Sequence, residues 1–215
     1  GGIYTKAADI GADLVDDLVQ EVVRIVGYDA VPTTMLSTPI PYRQVGPMIQ
    51  LVAVVKDALA AAGMQEVINY PLVSQADLEK VEHPEGDGPP LRVANPMSEE
   101  QEYLRTTLRS SILSTLAANQ HHVREGIKLF EVGRVYMPRP SELPLERETL
   151  VGVMVGPRWS ESWLNSQENL DFFDAKGIVD TLFSRLHIRC SFEPTYDPLF
   201  LRGRCAAIFL DPPLG

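Results

Sequence analysis

The chain has 215 residues, of which 45% are apolar and 22% charged, and carries a formal net charge of −10 from 29 acids against 19 bases. That composition excludes a wholly disordered chain. The acidic balance argues against a free-standing nucleic-acid binder, which needs a basic excess to displace counterions, and against an anionic membrane surface. Two cysteines, Cys190 and Cys205, can build neither a disulfide framework nor a zinc site, and they predict a reducing, cytoplasmic setting. No apolar run is long enough for a membrane helix. Gly1-Gly2-Ile3 carries no signal-peptide pattern, and Asp211 to Gly215 reads as part of a hairpin turn, so the chain is expected to be an internal fragment.

In chain order, residues 13–26 predict a helix, with Leu14, Leu18, Val22 and Val26 at i, i+4 spacing, Asp13 as cap and Gly27 as terminator. Residues 33–46, with Pro39, Pro41 and Gly46, predict a linker. Pro47 opens a second helix to about Ala62, closed by Gly63. A β-rich run follows over 67–73. Ser74-Gln75-Ala76-Asp77 starts a short helix to Val81, 83–90 is a loop, and 91–94 is a short strand. Ser98-Glu99-Glu100-Gln101 predicts a second capping box, and 111–122 a helix with Ile112, Leu116 and Ala117 inward. Strands are expected at 127–136 and 149–155, joined by a polar loop as an antiparallel pair, the second buried on both faces. An amphipathic helix over 173–186 and strands over 188–192 and 205–210 complete an α+β reading: an antiparallel sheet flanked by helices.

Motifs for common chemistries are missing: the sequence has no GxGxxG, Walker A loop, GxSxG, HExxH or CxxC. His121 and His122 are adjacent, so on a helix they point to different faces and do not form a metal pair. Asp13, Asp17 and Glu21 share one helix face at i, i+4 spacing. Oxygen ligands so placed could help hold a hard cation such as Mg²⁺, but a solvated acidic face is the simpler reading.

The densest stretch runs from Asn95 to Tyr136: NPMSEEQ, then Leu104-Arg105-Thr106-Thr107-Leu108, then LFEVGRVY from Leu129 to Tyr136. These motifs follow Asp17-Leu18-Val19-Gln20-Glu21-Val22, Gly27-Tyr28-Asp29 and Gly63 to Tyr70, and precede Asp171-Phe172-Phe173-Asp174-Ala175-Lys176-Gly177. In this order the sequence resembles bacterial phenylalanyl-tRNA synthetase beta subunits over nearly its whole length.

The resemblance implies three parts: the end of a B5-like helical domain over 1–32, a linker over 33–46, and a class II synthetase catalytic-like core over 47–215, truncated at its C-terminal end. It implies a structural role in an α2β2 heterotetramer of cytoplasmic translation machinery, with no catalytic or cofactor-binding residues in this chain. ATP would be bound by the alpha subunit, and tRNA by the full assembly. Active class II enzymes carry a motif resembling F-E-x-G-x-x-[FY]-R-x-E. Here Phe130, Glu131, Gly133 and Tyr136 match, but Met137 replaces the Arg and Arg139 the second Glu. A thioether cannot grip a phosphate, so no adenylation is expected.

The same resemblance implies a metal cluster shared with the alpha subunit. Asp17 and Glu21 match it as Mg²⁺ ligands, while Gln20 and Gly11 depart from it. The family's F-H-P-G-R-S-A turn appears as Phe200-Leu201-Arg202-Gly203-Arg204-Cys205-Ala206, without its His and Pro. Arg134 and Arg105 are read as pairing with acids, the alternative being interface contacts. Small residues on the 47–62 helix (Ala53, Ala58, Ala60, Ala61, Ala62) would permit close helix approach, at an interface or on its own sheet. A second reading is a class II-like amino-acid-binding or regulatory module that does not act on tRNA. A helix-turn-helix binder on residues 1–32 is disfavoured by its single acidic helix.

Overall fold

The computed structural model describes residues 18–32, 45–81, 88–123, 125–140, 142–160, 162–163 and 168–210. The chain divides into two compact units, Gly1–Gln44 and Val45–Gly215. In the first, helix α1 covers 18–26 of the described residues, and the predicted residues 13–17 lie outside them. Gly27 ends it at φ +99°, its N–H bonded to the Val23 carbonyl, and a 3-10 turn follows at Tyr28–Ala30. Most of the predicted linker also lies outside the described residues.

The second unit is built on a sheet of order β1-β4-β5, comprising Gln65–Glu66, Ile127–Met137 and Leu145–Val155. β4 and β5 pair antiparallel, as the sequence predicted, but β5 begins at Leu145 rather than Thr149, so the pairing runs from Ile127↔Val155 to Met137↔Leu145. β1 runs parallel to β4, so this sheet is mixed rather than purely antiparallel. Because side chains alternate, odd-numbered residues of β4 face one side and even-numbered ones the other.

On the even face, Phe130 packs with Ala58, Leu59 and Met64 from helix α2 (Pro47–Ala61) and the turn after it, and with Leu182 of helix α5 (Phe172–Arg185). On the odd face, Ile127 and Leu129 meet Ile112 of helix α4 (Arg109–Gln120), and Val135 and Met137 meet Leu108. β4 is therefore the central strand of a helix–sheet–helix layering. Phe130 and Ile112, 1% and 0% exposed, anchor its two sides.

Local departures from the sequence reading have physical causes. The 67–73 run does not form one strand. Val67 still donates to the Phe130 carbonyl, but Leu72–Val73 (β2) instead pairs with Tyr103–Leu104 (β3). Ser74 caps helix α3 (Gln75–Glu79) by accepting from the Asp77 N–H. The Ser98 box is not made: Glu99–Gln101 is a 3-10 turn without side-chain capping, because the chain turns back at once and the Glu102 carbonyl accepts from Val93. The 91–94 strand reduces to one bridge, Arg92↔Tyr103. α4 begins two residues early, and Ala117 is exposed rather than inward. β5 is not buried on both faces: its residues are half-buried or exposed, and Leu150 is open to solvent.

Helix α5 shows a complete capping box. Asp171 accepts from the backbone N–H groups of Phe173 and Asp174, and Asp174 accepts from the Asp171 N–H. Beyond it, His187 (φ +57°) turns the chain into β6, which starts at Cys190 rather than Ile188. β6 (Cys190–Pro194) pairs antiparallel with β7 (Ala206–Leu210).

The Asp174 carboxyl titrates below its ordinary 3.8, held there first by the Asp171 N–H and then by the Arg158 guanidinium. A depressed acid contributes stability above its unfolded value and loses it as pH falls through the folded one. The difference in melting temperature between the native chain and Asp174→Asn is therefore expected at neutral pH and should shrink as pH falls below 3.8. Calorimetric melts across that range check this; a difference that grows on acidification contradicts it.

Candidate functional site

The residues that match the synthetase-like pattern lie on β4, and the structure shows what each faces. Glu131, Gly133, Val135 and Met137 share the odd face. Position 137, where the expected motif has its phosphate-gripping Arg, is on this face, so on that expectation a nucleotide would need it open. Here it is closed by Arg105, Leu108 and α4.

Arg105 is the central element. Its backbone is fixed on both sides, the N–H donating to the Pro71 carbonyl and the carbonyl accepting from Tyr136. Its side chain then turns onto β4: Nη1 reaches Glu131 Oε1 at 2.6 Å and Nε donates to the Arg134 carbonyl at 3.0 Å. The two side chains are 5% and 2% exposed, so the pair is desolvated. The other Glu131 oxygen accepts from Asn69 Nδ2 at 2.7 Å, and Asn69 Oδ1 accepts from Thr115 Oγ1 at 2.7 Å. Every partner needed to hold a buried carboxylate is thus supplied from within the unit. Gly133 is part of this fit, since a Cβ there would overlap Arg105 Nη2 and stand 3.1 Å from Glu131 Oε1.

Met137 stands at the position of the missing Arg, 6% exposed and packed with Leu108 and Val135. Its site is apolar. Arg139, at the position of the second Glu, is on the surface and pairs with Glu142 at 3.2 Å. Arg134 faces the opposite side of β4 and bridges Glu146 at 2.7 Å and Glu148 at 3.2 Å; these acids, Glu146 first, hold its guanidinium above its ordinary value. Both arginines singled out in the sequence therefore pair with acids.

The sequence reading expected an acid for Arg105 but did not name Glu131 as its partner, and it missed the role of Asn69. The separations of 26 and 62 residues leave no local spacing signal.

The two candidate Mg²⁺ ligands are not brought into one described site. Asp17 lies outside the described residues. Glu21 is exposed on α1, and its Oε1 accepts from Arg24 at 3.2 Å. Among the described residues, no group of three or more His, Cys, Asp or Glu is arranged to hold a metal.

The Phe200-to-Ala206 turn has Gly203 at φ +76° and leads into β7. Lys176 pairs with Asp180 at 2.8 Å and lies over the Phe192 ring at 4.5 Å. Among the described residues no helix is long and apolar enough to cross a membrane.

In the N-terminal half of α2, Met48, Ile49, Leu51 and Val54 are between 40% and 57% exposed. Large apolar residues exposed together mark a surface that a partner covers.

Comparison with known proteins agrees with this geometry. The backbone resembles pyrrolysyl-tRNA synthetase from Desulfitobacterium hafniense. Two solved structures of that protein give TM-scores of 0.51 and 0.50 at 14% and 15% identity, over 70% and 68% of this chain and 50% of each of theirs. At that identity the likeness concerns the fold alone. The sequence is 37% identical over 211 residues to a phenylalanine–tRNA ligase beta subunit of Dehalococcoides mccartyi, and 33% identical over 216 residues to that of Clostridium acetobutylicum. Each alignment covers 96% of this chain and 25% of the relative, so the chain spans about a quarter of their length. The profile of the phenylalanyl tRNA synthetase beta chain CLM domain matches residues 31–213. With that domain match over most of its length and relatives at 33–37% identity, the chain belongs to the phenylalanyl-tRNA synthetase beta chain family.

Proposed function

We propose that the chain is a non-catalytic, structural part of a phenylalanine–tRNA ligase beta subunit that supports assembly with the alpha subunit. The observation that carries this reading is the closed odd face of β4. Where a nucleotide grip would need a free cation and an accessible carboxylate, Arg105 and Glu131 satisfy each other, and Met137 completes an apolar cluster. Electrostatic stabilisation of a developing charge needs donors aimed at open space, and this face offers none to a ligand.

On this reading the alpha subunit binds ATP and phenylalanine, the α2β2 assembly contacts tRNA, and the complex works in the cytoplasm. Residues 1–32 belong to a B5-like domain, 33–46 link it, and 47–215 form the catalytic-like core. A Mg²⁺ role for Asp17 and Glu21 requires further oxygen ligands from the alpha subunit, because a hard cation takes about six.

The exposed apolar N-terminal half of α2 is the surface we assign to the subunit contact. Co-expression with the cognate alpha subunit tests this. The chain should co-purify, and Ile49→Glu should reduce recovery at least about tenfold, the effect of one buried charge at an interface, with an unchanged melting curve. Alone, the chain should show no phenylalanine-dependent ATP–pyrophosphate exchange. Exchange by the isolated chain, or saturable binding of a free amino acid without any association with the alpha subunit, would replace this reading with that of an autonomous amino-acid-binding module.

A further inference from the structure

The Phe200-to-Ala206 turn, which the proposed role leaves unused, borders a pocket of about 630 Å³ between the β6–β7 hairpin and the start of α5. Its wall is mostly apolar, with Phe172 and Phe173 from α5 and Phe192 and Pro194 from β6. Phe173 is 74% exposed, and its ring meets that of Phe172 edge to face, at 5.7 Å and 81°. The pocket thus offers bare aromatic surface, within the size range of small-molecule sites.

Two charged side chains in the wall decide what that surface can hold. Asp171 is already engaged: one carboxylate oxygen accepts from the Phe173 and Asp174 N–H groups, and the other stands 3.4 Å from Arg158. The start of α5 is closed by this capping box and offers no anion site of its own. Arg204 is different. It is the one cation in the wall, and among the described residues it makes no ion pair. Its backbone is fixed by the turn. The Arg204 N–H donates to the Leu201 carbonyl at 2.9 Å, the Thr195 N–H donates to the Cys205 carbonyl at 3.0 Å, and Asp197 ties the loop to Arg109 of α4 at 2.9 Å. A guanidinium without a partner, beside three phenyl rings, suits a ligand that joins a ring to a carboxylate, which it can hold through two parallel N–H···O bonds. Polyphosphates are disfavoured by Asp171 in the wall and by the net charge of −10. An ammonium finds no unpaired carboxylate there, which distinguishes the pocket from a site for free amino acids.

We propose that this pocket binds an arylalkyl monocarboxylate, with its ring against Phe172 and Phe173 and its carboxylate on Arg204. Such a group arrives either as a free molecule or as the C-terminus of a peptide that ends in an aromatic residue. The site shares no residue with the Arg105–Glu131 network, so it stands or falls apart from the closure of β4.

The test is an NMR titration of the full chain with N-acetyl-phenylalanine, against N-acetyl-phenylalaninamide, which lacks the charge, and sodium acetate, which lacks the ring. The expected result is saturable shifts at the Phe173, Phe192 and Arg204 amides from N-acetyl-phenylalanine. Arg204→Gln should lose at least about tenfold in affinity, the size of one charge-assisted hydrogen bond. Phe173→Ala should lose about fivefold, the size of one aromatic contact. Both residues are exposed, so the variants keep the fold. Arg202→Gln, on the same turn but outside the wall, should bind as the native chain does. A second titration with N-acetyl-Gly-Gly-Phe separates the sources: tighter binding than N-acetyl-phenylalanine assigns the pocket to a peptide end, and equal binding to a free molecule. Absence of saturable shifts overturns the proposal. So do equal affinities for the amide or for acetate, tighter binding of free phenylalanine than of its N-acetyl form, or an Arg202→Gln chain that loses as much as Arg204→Gln.

Discussion

Replacing Arg105 with Met is expected to destabilise the Val45–Gly215 unit by about 3–5 kcal/mol, the usual cost of stripping one partner from a buried ion pair. The substitution keeps an unbranched stem but shortens the side chain and removes the guanidinium with its charge and donors. Glu131, 2% exposed, would then hold a negative charge with Asn69 as its remaining side-chain donor. For a domain of this size, about 1 kcal/mol moves the melting temperature by about 2–4 °C, so a drop of roughly 6–20 °C should be visible by calorimetry. The companion Glu131→Leu in the Arg105→Met background should recover much of the loss, because an apolar pair of similar volume is tolerated where half an ion pair is not. If Arg105→Met alone melts within about 2 °C of the native chain, the pair is not holding this face closed.

Restoring the missing cation is expected to fail as a gain of function. Met137→Arg would place a guanidinium among Leu108, Val135 and Val151, on a residue 6% exposed, with Glu131 already engaged by Arg105. Burying an unpaired charge costs several kcal/mol after relaxation, which is a large fraction of the 5–15 kcal/mol that holds a domain together. The variant should therefore be unfolded or strongly destabilised by circular dichroism, and ATP should give no saturable signal in calorimetry. A folded Met137→Arg chain that binds ATP would mean that the odd face of β4 opens readily and that the closure described above is incidental.

The elements that declare themselves in the sequence are those whose pattern is local. Pro47 and Gly63 bracket α2, the amphipathic stripe gives α5, and the apolar runs give the β4–β5 pair. The errors fall where tertiary contacts outweigh local preference. Ser98 has the residues for a capping box, but the return of the chain to Leu91 and Val93 leaves no helix for it to cap. The β-rich 67–73 run breaks because the Asn69 side chain is drawn to Glu131, and β2 then joins a different strand. At the candidate site, the comparison with a known motif located Glu131 and Gly133, which match it, and Met137, which departs from it. Only the structure shows that Arg105, about 26 positions upstream, occupies the space that the motif would otherwise leave open, and that Gly133 is there because a side chain would displace it.

The network on that face ties together segments that are distant along the chain: Asn69 to Glu131, Asn69 to Thr115 and Arg105 to Glu131. None of these bonds can form until loops of tens of residues have closed, and a charge pair gains little until water has already been excluded around it. The latch must therefore engage late, after the strands and helices have docked. Weakening it should speed escape from the native state far more than it slows arrival, so a chevron of the Arg105→Met chain would show its change mainly in the unfolding limb.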